Sequence, residues 1–377
     1  MDFDFSWLLW GLPIAFVFGW VASRLDLRQL RIENRQAPKA YFRGLNFLLN
    51  EQQDQAIDAF IEAVQKDPDT SELHFALGNL FRRRGEYERA VRVHEHLLSR
   101  GDLGRPDRQR AQYGLALDFL RAGLLDRAED ALRKLEGTPY DAQALPALLA
   151  IYERTRDWPQ ASEIARKLDA AGHGSFGARQ AHYLCEQAAG AAPERAEQLL
   201  REAMRTAPDA PRPALELAAL QRRSGDAATA FQTLARAATA APTAMGFIAA
   251  PLTDAAIACG RQADALSILE PSYHDAPSLD VLEGIVALQR DPDSARDWYV
   301  KHLEREPSLV AASKWLAGEK LEHEQFHPRV QGALDQAVKP LTRYRCAACG
   351  FEAKQHFWQC PGCQAWDSYP PRRVEEL

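Results

Sequence analysis

Cysteine is scarce in this chain, with 6 among 377 residues, and methionine is scarcer still, with 3. So few cysteines over that length exclude a disulfide-dense secreted scaffold. A basic excess is missing too. Lys plus Arg is 46 against 52 Asp plus Glu, a net charge of −6, which argues against a dedicated nucleic-acid binder. Lysine itself is rare, 9 against 37 arginines, a bias of genome composition rather than function. Glycine and proline, at 22 each, are too few for a collagen-like fibre. No phosphate-binding loop, nucleophile elbow, paired carboxylates or flavin or nicotinamide motif stands out, so the chain reads as a non-enzyme. What is present is 46% hydrophobic and 26% charged, which excludes a disordered polymer. The length allows two or three units or one long repeat array.

Near the N-terminus, Phe5–Ser23 (FSWLLWGLPIAFVFGWVAS) runs 19 residues without a formal charge. As a helix it spans about 28 Å, close to the hydrocarbon core of a bilayer. Trp7, Trp10 and Trp20 lie toward its ends, where amphipathic rings prefer the interface, and a membrane helix tolerates Pro13. A cleaved signal peptide would need a basic leader, and Asp2 and Asp4 stand there instead. Arg24, Arg28, Arg31 and Arg35 follow the run, partly offset by Asp26 and Glu33. The positive-inside bias then puts the N-terminus outside and the remainder in the cytoplasm. The expectation is a bacterial single-pass anchor over 1–23 and a basic juxtamembrane helix over 24–36. Gly11, Ala15 and Gly19 form a small-residue stripe that suits a partner helix or plain lipid.

The middle of the chain repeats. Alanines recur at Ala56, Ala90, Ala128, Ala161, Ala196, Ala230, Ala265 and Ala295, at intervals of 34, 38, 33, 35, 34, 35 and 30. Twelve residues after five of them stands Pro68, Pro208, Pro242, Pro277 or Pro307; five residues before four of them stands Gly85, Gly123, Gly225 or Gly260. A period near 34, with Gly at the turn between two helices and Pro after the second, matches the tetratricopeptide repeat. About eight such units fill 37–310, with a helical connector over 311–340, and stacked neighbours form a superhelix. Gly44 and Gly78 occupy the small position of a first helix, with Phe47 and Phe81 following on its buried face. The fourth, seventh and eighth units are patterned more loosely.

The concave face of such an array holds partner segments. Asn79, Arg82 and Arg83 are the candidate partner-binding residues, since guanidinium forks match the carboxylates of an acidic or C-terminal segment. A solvated arginine-rich face is the competing reading. His94-Glu95-His96 lacks the two histidines at i and i+4 of a metalloprotease helix and reads as structural. Cys185 and Cys259 read as small core residues, and His323 and His327 as surface residues.

Beyond Pro340 the helical pattern gives way to YRCAACGFEAKQHFWQCPGCQAWDSYPP. Cys346-x-x-Cys349, ten residues, then Cys360-x-x-Cys363 supplies two thiolate pairs for one tetrahedral site that suits iron or zinc. Gly350 and Pro361-Gly362 favour the tight turns, and Phe351, Phe357, Trp358 and Trp366 can cover a module too small for its own core. Four cysteines close the metal shell, which makes the site structural rather than catalytic. The module spans 341–371, followed by a tail over 372–377, and its aromatics are expected to dock on the repeats.

An anchor, a repeat array and a terminal four-cysteine module together resemble the lipopolysaccharide assembly protein B family of Gram-negative bacteria. The likeness is sharpest in GLNFLLNEQQDQAIDAF, LGNLFRRRGEYERAVRVH and YRCAACGFEAKQHFWQCPGCQAW. It implies an all-α tetratricopeptide-repeat superhelix with one transmembrane helix and a rubredoxin-like domain whose metal ligands are Cys346, Cys349, Cys360 and Cys363. It also implies an inner-membrane adaptor that promotes degradation of the LpxC-type deacetylase of lipid A synthesis by the FtsH-type protease. An inner-membrane sensor with a sulfatase-like domain would restrain it. A scaffold that gathers lipopolysaccharide-synthesis enzymes without directing proteolysis is the alternative, and homo-oligomers remain open in both. Gln364 departs from the rubredoxin pattern, which places Gly after the second knuckle.

Overall fold

The computed structural model describes residues 14–20, 39–319 and 324–377. The expected anchor and its basic flank lie outside the described residues except for 14–20, which are helical with exposed Ile14, Phe16, Val17 and Phe18. His323 also lies outside them. Contacts divide the chain into two compact units, up to Thr155 and from Arg156 onward.

The first unit is a succession of helices: α1 (39–49), α2 (Gln53–Lys66), α3 (Ser71–Arg84), α4 (Tyr87–Ser99), α5 (Arg105–Ala122), α6 (Leu125–Arg133) and α7 (Asp141–Thr155). From α2 on, each packs on the next, and α3 also meets α5, the pattern of tetratricopeptide repeats. Gly85 and Gly123 end first helices in the left-handed conformation (φ 85° and 77°), where a side chain is disfavoured. Ala56, Ala90 and Ala128 lie fully buried on second helices, so the paired helix can approach closely. Gly44 is small for a similar reason, because a Cβ there would stand 2.8 Å from the Phe60 ring.

The second unit comprises α8 (Trp158–Ala170), α9 (Gly177–Ala189), α10 (Pro193–Thr206), α11 (Pro211–Arg223), α12 (Ala227–Ala240), α13 (Met245–Cys259), α14 (Gln262–Asp275), α15 (Leu279–Leu288), α16 (Pro292–Arg305), α17 (Leu309–Ala317) and α18 (His327–Val338). The five recurring prolines each stand two residues beyond a helix end, where a missing N–H stops further winding. Ala161, Ala230 and Ala265 are fully buried, whereas Ala295 on α16 is only half-buried, in keeping with the looser eighth unit. By length and composition Pro242–Cys259 could cross a membrane, yet half of it is buried, and Ile248, Leu252 and Ala256 sit in the core with α14 and α15. A hairpin of β1 (Tyr344–Arg345) and β2 (Glu352–Ala353), pairing Tyr344 with Ala353 and Arg345 with Glu352, opens the terminal module.

Candidate metal centre and its seat on the repeats

The two Cys-x-x-Cys turns share one backbone pattern. Cys346 N–H donates to the Phe351 carbonyl at 2.9 Å, and Gly350 N–H to the Cys346 carbonyl at 2.9 Å. Fourteen residues later the pattern recurs: Cys360 N–H to the Ala365 carbonyl at 2.9 Å, and Gln364 N–H to the Cys360 carbonyl at 2.8 Å. Both turns need a left-handed residue after the second cysteine. Gly350 supplies it at φ 78°, and Gln364 adopts it at φ 62° although it carries a side chain, at a cost of about 1 kcal/mol.

These turns aim four free sulfurs at one point. The sulfurs of Cys346, Cys349, Cys360 and Cys363 all lie within 4.8 Å of one another. Cys346 Sγ is 3.8 Å from Cys363 Sγ, and Cys349 Sγ is 3.7 Å from Cys360 Sγ. A tetrahedral ion held by thiolates at about 2.3 Å requires sulfur–sulfur edges of about 3.8 Å, so the residues fit one such ion. Burial raises the Cys346 thiol, but the Ser368 hydroxyl and the N–H groups of Cys349 and Ala348 outweigh it and bring the group down to about 6. Burial likewise opposes the Cys360 thiolate, and the N–H groups of Cys363 and Gly362 prevail, leaving it below the usual thiol range. Each turn therefore carries one buried sulfur that favours the thiolate and one exposed sulfur.

Tyr344, Phe357 and Tyr369 pack around Cys346 and Cys360, whereas Trp358 and Trp366 face repeat helices. Trp366 stacks on His182 of α9, with centroids 4.8 Å apart and planes at 22°, and meets Trp158 and Tyr183 edge-on. His182 Nε2 lies 2.8 Å from Asp367 Oδ1, and Arg212 Nη1 approaches its Nδ1 at 3.4 Å. A guanidinium can only donate, so Nδ1 accepts and the Nε2 proton points at Asp367. Buried Arg212 is balanced by Glu186 at 2.8 Å and Glu216 at 2.6 Å, and its guanidinium lies 6.0 Å from the centre of the Trp358 ring. Phe247 of α13 packs on His356 at 4.1 Å and on Trp358 at 5.5 Å. The aromatic surround holds His356 neutral, its pKa pushed by burial down to about 4. Nothing in the local sequence marks His182, Arg212 or Phe247 as docking residues, because the module residues they meet, Asp367, Trp358 and His356, lie more than a hundred residues away along the chain.

The candidate groove residues lie in the first unit and fare differently from one another. Arg82 is drawn inward: its Nη1 pairs with Asp118 at 2.8 Å and donates to the Gly114 carbonyl at 3.2 Å, while Nη2 donates to Asn79 Oδ1. Asp118 is fully buried and needs that countercharge, so Arg82 does not present a free fork as expected from the sequence. Asn79 and the exposed Arg83 border a cavity of about 180 Å³ whose walls are Leu45, Leu48, Phe60, Ala76 and Leu80. His94 is structural, as expected: its Nδ1 lies 2.5 Å from Asp118 Oδ2, and its ring fills the space left by Gly78 and Gly114. Cys185 is buried, which raises its thiol, and Cys259 is half-buried.

Residues 344–370 match the rubredoxin metal binding domain, and residues 73–109 match the tetratricopeptide repeat. Over 376 aligned residues the chain is 30% identical to lipopolysaccharide assembly protein B of Escherichia coli, covering 96% of this chain and 97% of that one. It is 29% identical to the Haemophilus influenzae protein of the same name, covering 97% and 98%. Among solved structures, a tetratricopeptide repeat protein from Parabacteroides merdae overlaps 67% of this chain and 99% of its own, at 15% identity and a TM-score of 0.36.

Proposed function

The chain belongs to the lipopolysaccharide assembly protein B family, and on that premise we propose that it is a non-catalytic adaptor of the bacterial inner membrane. Near-full-length kinship, spanning both the repeats and the four-cysteine module, is the observation that carries this reading. The adaptor delivers the LpxC-type deacetylase to the FtsH-type protease and so limits lipid A synthesis, under restraint from the sulfatase-like sensor. The hydrophobic run at 5–23 serves as the anchor, with the N-terminus periplasmic and the repeats cytoplasmic. Confinement to one membrane raises the effective concentration of substrate and protease without any reacting side chain.

Two parts of the chain support this division of labour. The cavity bordered by Asn79 and Arg83 takes an apolar side chain of a partner and sets one guanidinium beside it for a carboxylate, with Arg82 positioning Asn79. The four thiolates hold iron or zinc, which when bound supplies the folding free energy of the module. With all four positions taken by sulfur, no site is left for substrate or water.

The test is the half-life of the deacetylase after a translation stop, in cells with the protein, depleted of it, or carrying Cys346→Ser with Cys349→Ser. The expected result is a lengthened half-life on depletion, reproduced by the double variant. An unchanged half-life on depletion would favour the scaffold that gathers synthesis enzymes without directing proteolysis.

A further inference from the structure

Residues 373–376 touch both the start of the module, where Val374 N–H donates to the Arg343 carbonyl at 2.8 Å and Arg373 lies 4.1 Å over the Tyr344 ring, and the helices of the repeats. Arg373 reaches the buried Asp280 of α15 through Nε and Nη2, at 2.6–3.2 Å, and Nη1 donates to the Thr342 carbonyl at 2.9 Å. Glu375 sits over the start of α17: its carboxylate accepts from Leu309 N–H at 2.6 Å, Val310 N–H at 3.2 Å and the Ser308 hydroxyl at 2.7 Å. Ser308 Oγ takes Ala311 N–H at 3.0 Å, so three of the N–H groups orphaned at that helix start are satisfied, two by Glu375. Glu376 does the same at α15, where Oε1 accepts from Leu279 N–H at 2.7 Å. The residue placed to cap α15 from within, Ser278, makes no cap bond, and its buried hydroxyl has no partner among the described residues. Two adjacent carboxylates thus bridge the starts of two separate helices, each matched to the positive end of a helix dipole.

The fastening is shallow. Val374, Glu375 and Glu376 are only half-buried, and Leu377 is 60% exposed. The carboxylates of Glu375 and Glu376 bond to neither the sulfur turns nor the His182–Trp366 stack. We propose that Arg373–Glu376 is a releasable latch, an acidic self-ligand that ties the terminal module to α15 and α17 and yields to a peptide bearing two adjacent carboxylates. Release uncovers two helix N-termini and Asp280 without disturbing the metal ligands.

The test compares amide exchange in the full-length protein with that of Glu375→Ala/Glu376→Ala and of Glu375→Gln/Glu376→Gln. The probe in trans is the synthetic peptide PRRVEEL. In the alanine variant, exchange at Leu279, Leu309 and Val310 should accelerate about tenfold with bound metal unchanged, because each helix loses a cap. The glutamine variant, which keeps acceptors but not charge, should fall between. Excess PRRVEEL should restore protection to the alanine variant and displace the native segment, seen as faster exchange at Val374 and Glu375; its PRRVQQL analogue should do less of both. Unchanged exchange in the alanine variant overturns the latch. Loss of metal together with protection also overturns it, because the segment would then be part of the module's own fold. Failure of the peptide to restore protection overturns its role as a replaceable ligand. None of these readouts depends on deacetylase turnover, so the latch and the adaptor can fail separately.

Discussion

Two histidines, His94 and His182, each meet an aspartate, and the outcomes differ. His94 and Asp118 are 24 residues apart, both almost fully buried, and sealed by Arg82 inside three consecutive repeat helices. His182 and Asp367 are 185 residues apart, with Asp367 half-exposed on the terminal module. In the first unit the polar cluster holds one repeat to the next. In the second it joins the repeats to a small domain built around four clustered sulfurs. A buried charge pair between neighbouring helices acts on the unit that contains it, whereas a pair at a docking face acts on the seating of the module.

The sharpest way to break that comparison is to remove the metal ligands. Cys346→Ser with Cys349→Ser should withdraw the folding free energy of metal binding, on the order of 10 kcal/mol. Residues 344–370 should become protease-sensitive and lose bound metal, while α2–α6 keep their protection. Equal sensitivity of both regions would show that the repeats need the module throughout.

Next in size is the aspartate pair. Asp118→Ala leaves Arg82 without its buried counterion and should cost about 3 kcal/mol in thermal or urea unfolding of the first unit. Asp367→Ala removes a half-exposed partner and should cost about 1 kcal/mol, seen in exchange around His182 and Trp366 rather than in the first unit. Matching losses from the two variants would erase the distinction between the sealed pair and the docking pair.

The most gradual effect is that of pH. His356 and His302 have pKa values lowered from 6.5 by burial, His356 to about 4. Below pH 6.5 the unfolded chain takes up these protons while the folded chain resists, so the unfolded state binds more. Stability that is fully present above pH 6.5 should therefore fall as pH drops toward 4. Unfolding midpoints measured across that range check the sign, and His356→Phe should flatten the slope.

Much of this was legible in the sequence because it is local. An alanine every 34 or so residues, a glycine five before it and a proline twelve after it describe one helix pair, and seven of the eight alanines are buried where that pattern puts them. The four cysteines likewise carry their own turns. The inward turn of Arg82 is not legible locally, because it answers to the depth of Asp118, 36 residues away on another helix. Residues 372–377 read as a tail because unsatisfied N–H groups at a helix start leave no mark on a distant Glu.

The chain by itself determined the repeat period, the helix ends and the two cysteine turns, since each is written in short recurring patterns along the backbone. Only the tertiary structure decided which histidine is sealed inside and which one docks, that Gln364 takes a glycine's conformation, and that Glu375 and Glu376 cap helices of the repeats. Those choices rest on desolvated charges and unpaired N–H groups, whose partners are selected by distance in space and not along the chain.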